Sequence, residues 1–355
     1  MKTFEKIKNQ TNSKILKLNL LGANFAVFGL NNISRYFLEK KIINVCIIDA
    51  SYKARFEKNS NNKQINFTTL DLIPKNTVII NCISGIKAGL IKKKLNKLEF
   101  VNYSWIEFKN AFRLNGINFW YLNDFDSYFF KKIDKFLAIY KLLYDLKSKK
   151  QFVKILKYKV TGNESVFNNG FDISNQYFPE FINFNEESVF IDVGAFNGDT
   201  ISHFLKLKHS FKKIIAFEPD KKNFKLLKKA YQTNPKIELN NLALGSSTMD
   251  QNFNSANDTS RAIDHGTEIV KVKRLDELNY CPTHIKVDIE GGEADFILGA
   301  TNTIMKYKPT LALCVYHKPE DFFYLVNQIL EINSEYRLYF RHHSLGFTES
   351  VMYFV

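Results

Sequence analysis

The chain is poor in cysteine, proline and tryptophan and has no long uninterrupted apolar run. Its four cysteines, Cys46, Cys82, Cys281 and Cys314, are spread over 355 residues and form no CxxC pair, so neither a disulfide framework nor a cysteine-based zinc site is expected. Three of them fall in apolar runs that read as strands, where a reduced thiol behaves as a small hydrophobe, and a reducing cytoplasm is the natural compartment. The opening residues MKTFEKIKNQTNSK lack an apolar signal core, and the run LNLLGANFAVFGLNN is broken by asparagines and glycines. Neither export nor membrane spanning is expected.

What the chain has in excess is positive charge, 50 Lys and Arg against 36 Asp and Glu, a formal +14. Such a balance suits an anionic partner, but the same bias toward Lys, Asn, Ile and Phe runs through both halves, so composition alone explains part of it. Length favours two domains. Phe25 to Phe28 form an apolar run ending at Gly29, followed by the helix-compatible NNISRYFLEKK and a second run, Val45 to Ile48, closed by Asp49. With the further run Thr77 to Ile80 and the pattern GIKAGLIKKKL, residues 1–110 read as a small Rossmann-like α/β domain. Residues 111–187 are aromatic-rich and helical in spacing, and read as a connector. From Val189 strand and helix patterns alternate again, through Ile214 to Phe217, Leu242, Ile285 to Val287 and Leu311 to Val315, and a terminal pair, Tyr336 to Phe340 and Val351 to Phe354, reads as a hairpin closing the sheet of a domain spanning 188–355.

Within that last domain, SVFIDVGAFNGDT places Asp192 at the end of a strand, Gly194 and Gly198 in the turn after it, and Asp199-Thr200 where a helix begins. Glycines there let backbone approach a ligand, and a helix N-terminus offers N–H groups to a carboxylate. Glu218 ends the next strand twenty positions after Gly198, where doubly wound folds place the acid that holds an adenosine ribose. The pair points to an adenosine cofactor and leaves open whether it is NAD or another.

A third element, HIKVDIEGGE, puts Asp288 at the end of a later strand with Glu290 and Glu293 behind it. These acids are expected to position substrate, to hold a hard divalent cation, or to cap the following helix. His317 follows the strand Leu311 to Tyr316 and is the first candidate for a base or ligand; His342 and His343, in the connection before the last strand, come next. His203 and His209 lie in a helix, where a packing role is expected. The metal expectation rests on Asp288, Glu290 and His317, and oxygen-rich ligation would suit Mg2+ or Mn2+.

The blocks VFIDVGAFNGDT, AFEPDKKNF, NLALG, VKRLDEL, HIKVDIEGGE, VYHKPED and YRLYFRHHS, in this order, resemble the FkbM-type methyltransferase family over about residues 163–355. The resemblance implies a class I methyltransferase domain, Rossmann-like, with a seven-stranded mixed sheet whose last strand is antiparallel. It implies S-adenosyl-L-methionine as cofactor, with Asp192, Gly194, Ala195, Asn197, Gly198, Asp199 and Thr200 along its methionine half, Glu218 on the ribose and Asn241 to Ala243 near the adenine. It further implies O-methylation of a sugar, expected as a nucleotide-linked precursor or a surface-glycan unit of capsule or lipopolysaccharide. Residues 1–110 lie outside the resemblance and are expected to recognise part of the substrate or to form a homodimer surface. The Pro-Pro-aromatic signature of amino methylation does not follow Asp288, and no RRM-like or KH-like signature accompanies the basic charge, so no nucleic-acid partner is expected. Rival readings are methylation of a natural product or RNA, and a dinucleotide-dependent oxidoreductase whose N-terminal turn, Phe28-Gly29-Leu30-Asn31-Asn32-Ile33-Ser34, keeps only the first glycine of GxGxxG.

Overall fold

A computed structural model describes residues 23–43, 45–47, 66–83, 85, 87–112, 114, 125–168, 171, 175–254, 261–262 and 268–355. The chain divides into two compact units: Met1–Leu137 with Lys150–Ile173 and His342–Glu349, and Ala138–Lys149 with Ser174–Arg341 and Ser350–Val355. The stretch 111–187, read from sequence as one connector, is thus divided between the two.

The first unit holds β1 (Phe25–Phe28), β2 (Val45–Ile47), β3 (Asn66–Thr68), β4 (Val78–Asn81) and β5 (Asn102–Ser104), in the order β3-β2-β1-β4-β5. β1 runs parallel to β2 and β4, β2 to β3, and β4 to β5. The apolar runs FAVF and VIIN suit strands covered on both faces, and Ala26, Ile47, Ile79, Leu95 and Phe100 form one buried cluster. Asn31 starts the helix Asn32–Glu39, its side chain accepting from Ile33 and Ser34 N–H at 3.0 and 3.1 Å. Asp49, expected as a ribose acid, lies outside the described residues.

The second unit contains two sheets. β6 (Val189–Val193), β7 (Lys213–Phe217), β8 (Ile237–Asn240), β13 (His284–Val287), β14 (Thr310–Cys314), β15 (Leu338–His342) and β16 (Ser350–Phe354) form a seven-stranded sheet ordered β15-β16-β14-β13-β6-β7-β8. β16 is antiparallel to β14, whereas β14, β13, β6, β7 and β8 are mutually parallel. Arg337 and Val355 exchange N–H to C=O bonds of 2.8 and 3.0 Å, the reciprocal pattern of an antiparallel pair, so the terminal strands form the expected hairpin. The second sheet, β11-β10-β12-β9, uses β9 (Ala243–Leu244), β10 (Met249–Asn254), β11 (Arg261–Ala262) and β12 (Glu268–Lys273). Of its strands the sequence reading found only the short one near Leu242, which is β9; MDQNFN is too polar to stand out, and EIVKVK, with Ile269, Val270 and Val272, was passed over.

The order turns outward in both directions from the neighbours β6 and β13, which makes their carboxyl ends the topological switch point, the place where open parallel sheets bind ligands. In β6 the side chains of Phe190, Ile191 and Val193 are almost wholly buried, each stabilising the fold by about 1.5–3 kcal/mol relative to exposure. That rigid strand delivers the turn after it to a fixed position.

Candidate active site

The turn leaving β6 is shaped by three left-handed residues, Gly194, Phe196 and Gly198, with φ of 79°, 49° and 89°. A Cβ on Gly194 would lie 2.0 Å from the carbonyl oxygen of Asp288, so only glycine allows the turn to pass the end of β13. Gly194 and Ala195 both donate to Phe217 C=O at 3.0 Å. Glu218 sits at the end of β7, 5% exposed, and grips the turn from the side: Phe196 N–H donates to its Oε2 at 2.8 Å and Asp220 N–H to its Oε1 at 2.9 Å. Burial outweighs these two bonds and pushes its carboxyl up to about 7. Each oxygen keeps lone-pair capacity for a ligand hydroxyl.

Other expected cofactor residues have local partners. Asn241 donates to the carbonyls of Glu218 and Pro219 at 2.8 and 3.1 Å, fixing the backbone that carries Glu218, and Ala243 opens β9 opposite Val272. The helix Asp199–Lys206 starts on Gly198, but its first N–H groups are not open as the sequence implied: Asn197 Oδ1 accepts from Asp199 N–H at 3.2 Å and Asp199 Oδ1 from Thr200 N–H at 2.8 Å. Short polar side chains at a helix start satisfy the backbone themselves, so a ligand carboxylate would have to displace them.

Behind β13 the acids converge on His317. Its Nδ1 lies 2.9 Å from Glu293 Oε1, and its Nε2 lies 3.5 Å from Asp288 Oδ1 and 3.7 Å from Glu290 Oε2. Burial alone would lower the imidazole, but Glu293, Asp288 and Glu290 overcome it and push its pKa up to about 10. The surrounding acids thus favour the imidazolium, a form that donates protons, and this argues against the role of base expected from sequence. Asp288 takes the opposite direction: burial raises it, but His317, Lys286 and a bond from Tyr177 hold it below the usual carboxylate range. Tyr177 O–H donates to Oδ2 at 2.8 Å and Tyr316 O–H to Oδ1 at 3.4 Å.

The two glutamates differ. Glu293 is 1% exposed, accepts from Ile289 and Gly291 N–H at 3.1 and 3.4 Å and orients His317, so in this enclosed position it is not a substrate contact. Glu290 stays partly open with φ of 56°, a conformation costly for a side chain of its size. Asp288, Glu293 and His317 each offer one donor atom within 4.8 Å of the others, whereas the metal set expected from sequence named Glu290 in place of Glu293.

His342 and His343 belong to the first unit and are closed to solvent, at 0% and 3% exposure. Gln151 accepts from the His342 N–H at 2.9 Å, His342 Nε2 meets Gly346 C=O at 3.0 Å, and its ring packs on Phe167 and Phe171. Burial drives its pKa far down; such an enclosed neutral ring does not face a substrate, contrary to expectation. His203 lies in the helix Asp199–Lys206, but His209 follows it, outside the helix expected to hold both; both rings pack against Phe178.

Sequence reasoning missed Tyr177, Tyr316 and Lys286. Lys286 carried a signal, a lysine inside the apolar strand HIKV. Tyr177, in a stretch without strand or helix periodicity, carried none.

The model of the methyltransferase FkbM domain matches residues 192–347. The crystal structure of methyltransferase FkbM from Methylobacillus flagellatus KT shares the fold at a TM-score of 0.76 and 18% identity, covering 99% of this chain and 97% of that one. Looser likenesses join parts of the chain to Aeropyrum pernix fibrillarin in complex with S-adenosyl-L-methionine (TM-score 0.34, 10% identity, 52% and 73% of the two chains) and to an rRNA methylase from Streptococcus thermophilus (TM-score 0.31, 14% identity, 48% and 87%). A search of the curated proteins finds no match. The α/β fold, its seven-stranded mixed sheet and the match over the site-bearing residues agree: residues 192–347 carry a methyltransferase domain of the FkbM family.

Proposed function

We propose that the chain is an S-adenosyl-L-methionine-dependent O-methyltransferase acting on a sugar hydroxyl, with a nucleotide-linked sugar or a capsule or lipopolysaccharide glycan unit as acceptor, in the cytoplasm. No helix among the described residues is long and apolar enough to cross a membrane. The observation that carries this reading is the convergence, at the switch point of one sheet, of Glu218 holding the turn after β6 and Asp288 held ionised with its side chain 21% exposed.

When bound, the cofactor supplies a methyl group already activated on a sulfonium, so the protein has to orient the acceptor and take its proton. Glu218 would accept from ribose hydroxyls, and Gly194, Ala195, Asn197, Gly198, Asp199 and Thr200 would line the methionine half, whereas Asp192, enclosed and 3.0 Å from Lys286, would act from behind the turn. Asp288 is the base in this reading. A carboxylate of low pKa is a weak base, but an alcohol oxygen gaining a methyl group becomes strongly acidic, so a weak base in hydrogen-bond reach suffices. The His317 imidazolium would balance the surrounding acids, and Glu290, left-handed and partly open, would meet acceptor hydroxyls.

A divalent cation is the second reading, favoured by the mutual approach of the donor atoms of Asp288, Glu293 and His317. Mg2+ or Mn2+ held there would polarise the acceptor oxygen. It would also have to displace the proton now shared by His317 and its acids.

The oxidoreductase reading loses support in the first unit. Asn31 occupies the N–H groups that would seat a pyrophosphate, its Nδ2 donates to Cys82 C=O at 2.6 Å, and Gly89 N–H donates to Leu345 C=O at 2.6 Å. The unit's role as a substrate-recognition or homodimer surface stays part of the proposal.

The test is calorimetric titration with S-adenosylmethionine, S-adenosylhomocysteine and NAD, then transfer of a labelled methyl group to a panel of UDP-, GDP- and CDP-sugars, free glycans and RNA. Selective binding of the two adenosyl-sulfur compounds and label on a sugar are expected. Binding of NAD alone would overturn the cofactor, and label only on RNA or a non-sugar acceptor would overturn the substrate class.

A further inference from the structure

Lys286 stands in β13 with 3% exposure, and its strand partner in β6, in direct register, is Asp192, fully enclosed. An ammonium buried this deeply is costly unless each of its hydrogens finds an acceptor. Three acceptors are in place: Gly194 C=O at 2.6 Å, Asp192 Oδ1 at 3.0 Å and Val193 C=O at 3.3 Å. Two of these are backbone carbonyls at the start of the turn that carries Glu218's partner Phe196. On its other side Lys286 lies 5.3 Å above the ring of Tyr177, whose hydroxyl holds Asp288.

We infer that Lys286 is a positioning residue that sets the geometry of the cofactor turn through the Gly194 carbonyl and steadies, through Tyr177, the carboxylate at the acceptor end. This deepens the proposed function and rests on its cofactor assignment. A lysine serves here better than an apolar residue because the Gly194 carbonyl, at the turn's left-handed start, takes the ammonium at 2.6 Å, while Val193 C=O is shared between the ammonium and Asp288 N–H at 3.1 Å. A charge that only paired with Asp192 would need neither carbonyl.

The test uses Lys286→Met, which keeps length and removes the donors, and Lys286→Arg, which keeps charge but exchanges three radiating donors for a planar fork. The readouts are calorimetric affinity for S-adenosylhomocysteine and hydrogen exchange of the amides of residues 194–200 in the full chain. Both folded variants are expected to bind about ten- to a hundredfold more weakly, the effect of losing a charged hydrogen bond at the site, with faster exchange confined to the turn. Wild-type affinity in either folded variant overturns the inference, and so does failure of both to fold, which would make Lys286 a stability element. If the wild-type chain itself does not bind S-adenosylhomocysteine, the cofactor reading fails instead.

Discussion

Nδ1 of His317 lies 2.9 Å from Oε1 of Glu293, and both side chains are closed to solvent. This contact fixes which nitrogen faces the site: Glu293 takes Nδ1, and Nε2 is turned toward Asp288 and Glu290.

A pH dependence follows with a definite sign. The folded pKa of His317, about 10, lies above its ordinary value of 6.5, so the stability it contributes is fully present below pH 6.5 and is lost as pH rises toward 10. The thermal midpoint should fall on the alkaline side, and His317→Gln should remove that slope while costing about 3 kcal/mol near neutrality, because the acids lose their buried cation. Thermal scans from acid to alkaline pH check this; an unchanged alkaline slope in the variant would count against a charged His317.

Glu218 should show its ionisation in cofactor binding. With a carboxyl raised to about 7, its acceptor form gains population as pH rises through that value. Affinity for S-adenosylhomocysteine should therefore rise between about pH 6 and about pH 8. The sign for stability is the reverse: the neutral acid's contribution is full below 4.5 and is lost as pH rises through about 7. Glu218→Gln should bind about tenfold more weakly and without the pH trend, as titration calorimetry at several pH values would show.

Gly194→Ala places a methyl where the Asp288 carbonyl already lies and forces a left-handed residue to carry a Cβ. A loss on the order of 2–4 kcal/mol in stability is expected, with cofactor binding lost beside it. Chemical denaturation of the variant measures the first; wild-type stability would mean the turn moves freely away from β13.

The imidazolium and cation readings separate under chelation. If His317 supplies the positive charge, exhaustive EDTA treatment leaves methyl transfer intact. Activity lost to EDTA and restored by Mg2+ or Mn2+ would move Asp288, Glu293 and His317 to the role of ligands.

Much of the fold was legible because its signals are local. Val189 to Val193 is an apolar run and its strand spans the same residues; Gly194 and Gly198 are glycines where the chain turns left-handed. Glu218 and Asp288 each follow a strand and Asp192 is the penultimate residue of one, so their arrival near one end of the sheet follows from parallel order. Most of the small second sheet was missed because β10 is almost wholly polar, and only its pairing with β12 makes it a strand.

The sequence by itself determined the strand order's raw material, the glycine turn and the acid that grips it, since periodicity and backbone freedom are properties of neighbouring residues. Only the tertiary structure decided the charges. Tyr177 reaches Asp288 across 111 positions, Lys286 meets Asp192 across two strands, and His317 is pushed toward its charged form because three acids close around it. Protonation in a buried site depends on the sum of burial and every nearby charge, and that sum exists only once distant segments have been packed together.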